Sequence, residues 1–156
     1  MTCPAEALGM TAEEQQRDQF VSCQNNMKQL GLVIRMFSAE HREYVPASWR
    51  TVYPDYLCDP NVLVCPAGDK LETCYDIVFP ALHEEDLAMI WEAVEGQGAA
   101  QAPGGGWESR VPVVTEKHRH TVDAKVVRNV LFYDGHVEAM SDEQWNEHVK
   151  PYIEYR

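Results

Sequence analysis

The chain has 156 residues, 45% of them hydrophobic and 10% aromatic, enough for one domain with one core and far from the profile of a disordered chain. Acidic residues number 25 against 13 basic ones, a formal charge of -12 that is spread over both halves, so the summed field repels a polyanion and nucleic-acid binding is disfavoured. The longest apolar runs, such as Leu32-Val33-Ile34, fall far short of the roughly 20 residues a bilayer span needs, and Met1 to Asp18 lacks the basic and apolar regions of a signal peptide.

Thr11-Ala12-Glu13-Glu14 has the form of a capping box, which starts a helix by satisfying its orphan N–H groups. Phe20, Cys23, Met27, Leu30, Ile34 and Phe37 follow in a 3-4-3-4-3 rhythm, widened by Val33, which predicts a long helix over residues 11–42 with one buried face. Glu13 to Gln19 carries no large apolar residue, so that leading end is expected in solvent, and part of so long a helix is expected to project. Tyr44-Val45-Pro46 then forces extended chain.

From Pro46 to Asp69 the prolines at 54, 60 and 66 break the chain into short pieces, which predicts a loop wrapped on the core. Tyr75 to Phe79 is a predicted strand. Leu87, Ile90, Trp91 and Val94 then repeat at helical spacing, with Glu84, Glu85 and Asp86 favourably placed at the helix start and Gly96 as its stop. Residues 96–106, GQGAAQAPGGG, read as a flexible Gly-rich loop and not as a phosphate cradle, since no G-x-x-x-x-G-K-[ST] is present.

Val111 to Thr115 is a predicted strand, edge-like because of Pro112. Residues 126–140 form a predicted β-hairpin around Asp134-Gly135, a pair suited to a type I′ turn in which both central residues have positive φ. Ser141-Asp142-Glu143-Gln144 is a second capping box, predicting a short C-terminal helix that Pro151 closely follows. Trp91 is expected in the core, while Trp107 suits either a surface contact or packing on the sheet.

A long helix followed by a small antiparallel sheet is an α+β order shared by many domains. Two motifs sharpen it. The stretch from Cys23 to Leu32, CQNNMKQLGL, leading to Tyr44-Val45-Pro46 and then to LCDPNVLVCP at 57–66, resembles the helix and tyrosine-rich loop of type IV pilin-like proteins, the pseudopilins, of the planctomycete and verrucomicrobial type. NVLFYDGHVE at 129–138 is similar to that family's C-terminal signature of a His, nine residues, then Asp-Gly, although thirteen residues separate His120 from Asp134 here. The matches cover roughly half of the chain and leave the middle, from about Thr73 to Trp107, unmatched.

The resemblance implies one pilin-like head over residues 1–156: a long N-terminal helix on a small antiparallel sheet, with a short insertion helix and a C-terminal helix. It implies a non-enzymatic structural subunit of a type II secretion or type IV pilus-type filament, whose partners are other pilin-like subunits. Membrane attachment would come only through an N-terminal apolar helix, which stands in the family where this chain has MTCPAEALGMTAEEQQRDQF. Location would be periplasmic or extracellular after anchoring in the inner membrane, or cytoplasmic if Met1 is the natural start. Cys23, Met27, Leu30, Ile34 and Phe37 would hold helix to sheet, and Phe20 with the residues before it would meet a neighbouring subunit. The five cysteines suit one or two disulfides. The pairings set beside this resemblance are Cys58 with Cys74 and, second, Cys23 with Cys65, leaving Cys3 over; the alternative is buried thiols in a reducing compartment.

The alternative function is a metal- or ligand-binding module on the same head. His118 and His120, two apart, would share a strand face, and with His136 facing them three imidazoles could take zinc, although His136 equally suits a hydrogen-bonded turn. No resident cofactor is expected. Asp55, Asp59, Asp123 and Asp134 lack the alternating spacing of a calcium loop, and Asp134 and Gly135 are expected to supply turn geometry. Cys65 before a proline and the Glu84-Glu85-Asp86 run have structural explanations, so no residue constellation supports catalysis.

Overall fold

A computed structural model describes residues 11–53, 55–57, 60–63, 75–96 and 106–156. Helix α1 (Ala12–Glu40) opens on the expected capping box: Thr11 accepts from the Glu14 backbone N–H and the Glu14 carboxylate accepts from Thr11 N–H. It buries Cys23, Met27, Leu30, Val33, Ile34 and Phe37 and ends where Arg42 and Glu43 take positive φ, 55° and 64°. A four-residue helix α2 (Trp49–Val52) and a 3-10 turn (Pro60–Leu63) occupy part of the stretch expected to be only loop. Trp49 donates its indole N–H to the Tyr75 carbonyl at 2.9 Å, which gives that short helix its anchor.

Strand β1 (Tyr75–Ile77) leads to α3 (Glu84–Glu95), capped by His83 and stopped by Gly96 at φ 86°. A 3-10 turn (Trp107–Ser109) precedes β2 (Pro112–Glu116), β3 (His120–Val122), β4 (Lys125–Phe132) and β5 (Val137–Met140). Helices α4 (Asp142–His148) and α5 (Lys150–Tyr155) close the chain. The Ser141 box caps α4 as expected, and the chain then continues helically through Pro151, which is tolerated in the first turn of α5 because no intrahelical N–H is needed there.

The sheet is antiparallel throughout. Strand β2 lies between β1 and β4, so the expectation of an edge strand fails. Pro112 is accommodated because it is the first residue of the strand and the register shifts between Pro112 and Val114. Strands β2 and β3 pair successive stretches of β4, with Thr115 opposite Val130 and His120 opposite Val127. They therefore form one arm along one side of β4, interrupted at residues 117–119. Strand β5 pairs the overlapping stretch Arg128 to Leu131 from the other side.

The turn at Asp134-Gly135 differs from expectation, and a second hairpin turn appears that was not expected. Asp134 does not take positive φ; only Gly135 does, at 96°, with its N–H bonded to the Phe132 carbonyl at 2.9 Å. Phe132 N–H then bonds the His136 carbonyl, so the loop is a type I turn closed by a glycine bulge and not a type I′ pair. The hairpin turn with two consecutive positive φ values is Asp123-Ala124, at 52° and 64°, which joins β3 to β4.

Helix α1 packs on one face of the sheet, where Cys23 to Phe37 meet Tyr75, Val113, Val114 and Leu131. A Cβ on Gly31 would lie 3.1 Å from Leu131 Cδ1, which marks how closely helix and strand approach. The opposite face holds Val130, Phe132, Met140, Trp145 and Val149. A third cluster, with Leu87, Trp91, Val111 and Tyr152, ties α3 and α5 to the rest. Among the described residues no helix is long and apolar enough to cross a membrane.

The leading end of α1 is exposed from Glu13 to Asp18 apart from half-buried Gln15. It does not stand clear of the sheet: Arg17 forms an ion pair with Asp123 in the β3–β4 turn, and the two segments line a shared groove.

Candidate metal centre

The β2–β3 arm spends four residues, Glu116 to His120, over a stretch in which β4 advances two, from Asn129 to Val127. Glu116 Oε1 accepts from the Asn129 backbone N–H at 2.8 Å, one register step beyond the Thr115–Val130 pair, and His120 faces Val127. Two residues are thus thrown out between them, as in an enlarged β-bulge. Glu116 and His120 become neighbours on one face, the face carrying Leu131 and turned toward α1.

Their contact is direct. His120 Nε2 lies 3.0 Å from Glu116 Oε1 and 3.1 Å from Oε2, with the side chains 2% and 0% exposed. Cys23, fully buried on the inner stripe of α1, completes a group in which thiol, carboxylate and ring nitrogen all lie within 4.8 Å of one another. Phe20, one turn earlier on α1, sets its ring edge-on to His120 with centroids 5.7 Å apart. Cys23 and His120 also engage further groups.

Asn129 sits beside this centre. Its side chain is completely buried, and among the described residues neither the carboxamide oxygen nor its nitrogen has a hydrogen-bond partner. Strand alternation puts it on the Leu131 face, opposite Glu116, and therefore between the sheet and α1. A buried unpaired carboxamide costs on the order of 1–3 kcal/mol, so its presence needs a reason.

The three histidines singled out from the sequence are not brought together. His120 is buried at the centre just described. His118, half-buried, falls in the thrown-out segment, because the bulge breaks the alternation that would have put it beside His120. His136 lies near the far end of β4, about five residues or roughly 17 Å away. There it stacks on Phe132 at 4.6 Å, and its ring meets Asp134 and Glu138 carboxylates. It also lines an open cleft of about 820 Å³ with Glu95, Arg110, Glu138, His148 and Tyr152.

Asp134 and Gly135 form the hairpin turn, and the Asp134 carbonyl accepts from Arg35 of α1 at 2.7 Å. Met27, Leu30, Ile34 and Phe37 lie in the main core, and Phe20 is half-buried against His120. Trp91 is core, and Trp107 packs on Tyr133 with centroids 4.8 Å apart. Cys3, Cys58, Cys65 and Cys74, and with them the pairings Cys58 with Cys74 and Cys23 with Cys65, lie outside the described residues, as does most of the Gly-rich loop.

Glu116 and Asn129 were not singled out from the sequence. The signal that could have found Glu116 is an acid ending the apolar run VPVVT, where a strand buried on both faces leaves no outlet to water. For Asn129 the signal is a polar residue inside VVRNVLF, opposite that acid.

Burial raises two tyrosines of the third cluster. The Tyr133 hydroxyl is pushed up to about 12 by burial and then by the Glu84 and Glu43 charges. Tyr152 is raised further still by burial and by its hydrogen bond to Glu95.

No family model, no curated protein and no solved structure matches this chain.

Proposed function

We propose that the chain is the head of a pilin-like structural subunit, a pseudopilin, that works through assembly with copies of itself or related subunits and not through turnover. The observation that carries this reading is the division of α1 into two apolar faces. One, Cys23 to Phe37, is fixed to the sheet. The other leaves Val21, Leu32 and Met36 exposed at 45%, 63% and 47%. Val21 and Leu32 are about three helical turns apart, so they and Met36 lie along the side turned away from the sheet. An α-helix with apolar residues on both sides is a natural element for packing against further helices. In this reading the subunit acts outside the cytoplasm after anchoring through a preceding apolar helix, and the acidic surface keeps the heads in solvent.

The test is a photo-crosslinking amino acid at Leu32 in the full-length gene product, expressed in its own host. Adducts at multiples of the subunit mass support the reading. Adducts only with unrelated proteins, or monomer alone under conditions where the host makes the protein, refute it. A second reading, a metal- or ligand-binding module on the same head, is favoured by the Cys23–Glu116–His120 group in place of the set His118, His120 and His136.

A further inference from the structure

We propose that Cys23, Glu116 and His120 form a buried structural zinc site that staples α1 to both halves of the β2–β3 arm. The proposal stands on the chemistry of this centre and is independent of the assembly role.

The donor set is one thiol, one imidazole and one carboxylate, from three separate elements, with all three donor atoms within 4.8 Å of one another. In a tetrahedral zinc site with bonds of about 2.0–2.3 Å the ligand atoms stand roughly 3.3–3.6 Å apart. The His120–Glu116 separation of 3.0 Å is already near that value, and rotamer-scale adjustment brings Cys23 in. Thiolate with imidazole selects zinc over magnesium or calcium, which want oxygen ligands alone.

Burial supplies the second line of reasoning. Cys23, Glu116 and His120 are 0%, 1% and 4% exposed. A carboxylate sealed from water carries a desolvation cost of several kcal/mol, which one hydrogen bond to Asn129 N–H and one imidazole offset only in part. A divalent ion bound by one thiolate, one carboxylate and a neutral imidazole leaves no net charge in the interior. Metal binding displaces the Cys23 thiol proton to solvent, and the His120 ring gives up the proton on Nε2 and carries its remaining one on Nδ1, so that Nε2 and the Glu116 carboxylate bind the ion in place of each other.

Asn129 is the third and separate observation. Its fully buried carboxamide has neither a donor nor an acceptor partner among the described residues, and it occupies the sheet face of the centre, opposite Glu116. A three-ligand site needs a fourth donor, and a trapped water held by this carboxamide provides it while satisfying the unpaired atoms. Three protein ligands and a water is the ligand count of a catalytic zinc, but Phe20 covers His120 and the three ligands are sealed from solvent, so no substrate reaches the ion and its role is structural.

The test uses the full chain, purified under reducing, chelator-free conditions, loaded with Zn²⁺ or Co²⁺ and assayed by elemental analysis and absorption spectroscopy. Stoichiometric zinc is expected, together with a cobalt spectrum showing tetrahedral d–d bands and a thiolate-to-cobalt charge-transfer band. Cys23→Ser and His120→Gln should lose the metal, while His118→Gln and His136→Gln keep it. Asn129→Ala should weaken affinity by roughly 10–100-fold, the usual effect of removing an outer-shell partner. Because the ligand variants can unfold and four other cysteines could give a thiolate band, the cobalt spectrum is also recorded for the chain with Cys3, Cys58, Cys65 and Cys74 changed to Ser, where the band can come only from Cys23. Folded protein that takes up no zinc, a cobalt complex without the thiolate band, retention of zinc in folded Cys23→Ser, loss of zinc in folded His118→Gln or His136→Gln, or Cys23 found in a disulfide overturns the proposal.

Discussion

Strand β4 has a histidine–carboxylate pair near each end, and the two pairs are built from the same chemistry in opposite surroundings. His120 and Glu116 are sealed beneath α1, with side chains 2% and 0% exposed. His136 meets Asp134 and Glu138 in the open, where the carboxylates are 35% and 53% exposed. Water and salt screen the second pair, so its net worth is about 0–1 kcal/mol. The first has no solvent to fall back on, so removing one partner strands the other and costs about 3–5 kcal/mol. Position on the sheet, not residue type, decides which histidine matters.

The largest expected effect follows directly. Glu116→Ala or His120→Ala should destabilise the fold by about 3–5 kcal/mol in urea titration, through the stranded partner and the lost packing. Loss under about 1 kcal/mol would mean that the centre opens to water and that the contrast between the two ends is false. Next comes Leu131→Ala, which leaves a cavity under Gly31 and should cost about 2–5 kcal/mol. A smaller effect is expected of Ser141→Ala, about 1 kcal/mol, because the Ser141 side chain caps α4 at the Gln144 N–H. His136→Ala should be smallest, under about 1 kcal/mol, and it sharpens the comparison if its effect also fades with added salt.

A pH dependence follows from the raised tyrosines. Tyr133 has its folded value near 12 against an ordinary 10.0, chiefly through burial. The folded state therefore holds its proton more tightly than the unfolded chain. The stability this reflects is fully present below about pH 10 and is lost as pH rises through 12. Tyr133→Phe should flatten that alkaline limb of the denaturation profile, and an unchanged limb would assign it to other groups.

What the sequence made legible was local. The capping boxes at Thr11 and Ser141, the buried stripe of α1, the stop at Gly96 and the strands either side of Asp134-Gly135 depend on neighbours in the chain, and each is found where its pattern puts it. The candidate centre was not legible, because it depends on a register shift. Alternation from His118 to His120 holds only in an unbroken strand, and the two residues thrown out before His120 exchange His118 for Glu116 as its neighbour. Pro112 misled for a related reason: a proline at the first residue of a strand, beside a bulge, gives up no ladder bond and so does not mark an edge. Positive φ at Asp123-Ala124 was equally hidden, since alanine carries no turn signal and the adjoining strand pairs impose the geometry.

A double-mutant cycle tests the central contrast most directly. Glu116→Gln, His120→Gln and their combination are compared by urea unfolding with Asp134→Asn, His136→Gln and their combination. The sealed pair should show a coupling energy of about 2–3 kcal/mol and the exposed pair less than about 0.5 kcal/mol. Equal couplings at the two ends of β4, or additive effects at Glu116 and His120, would contradict the account.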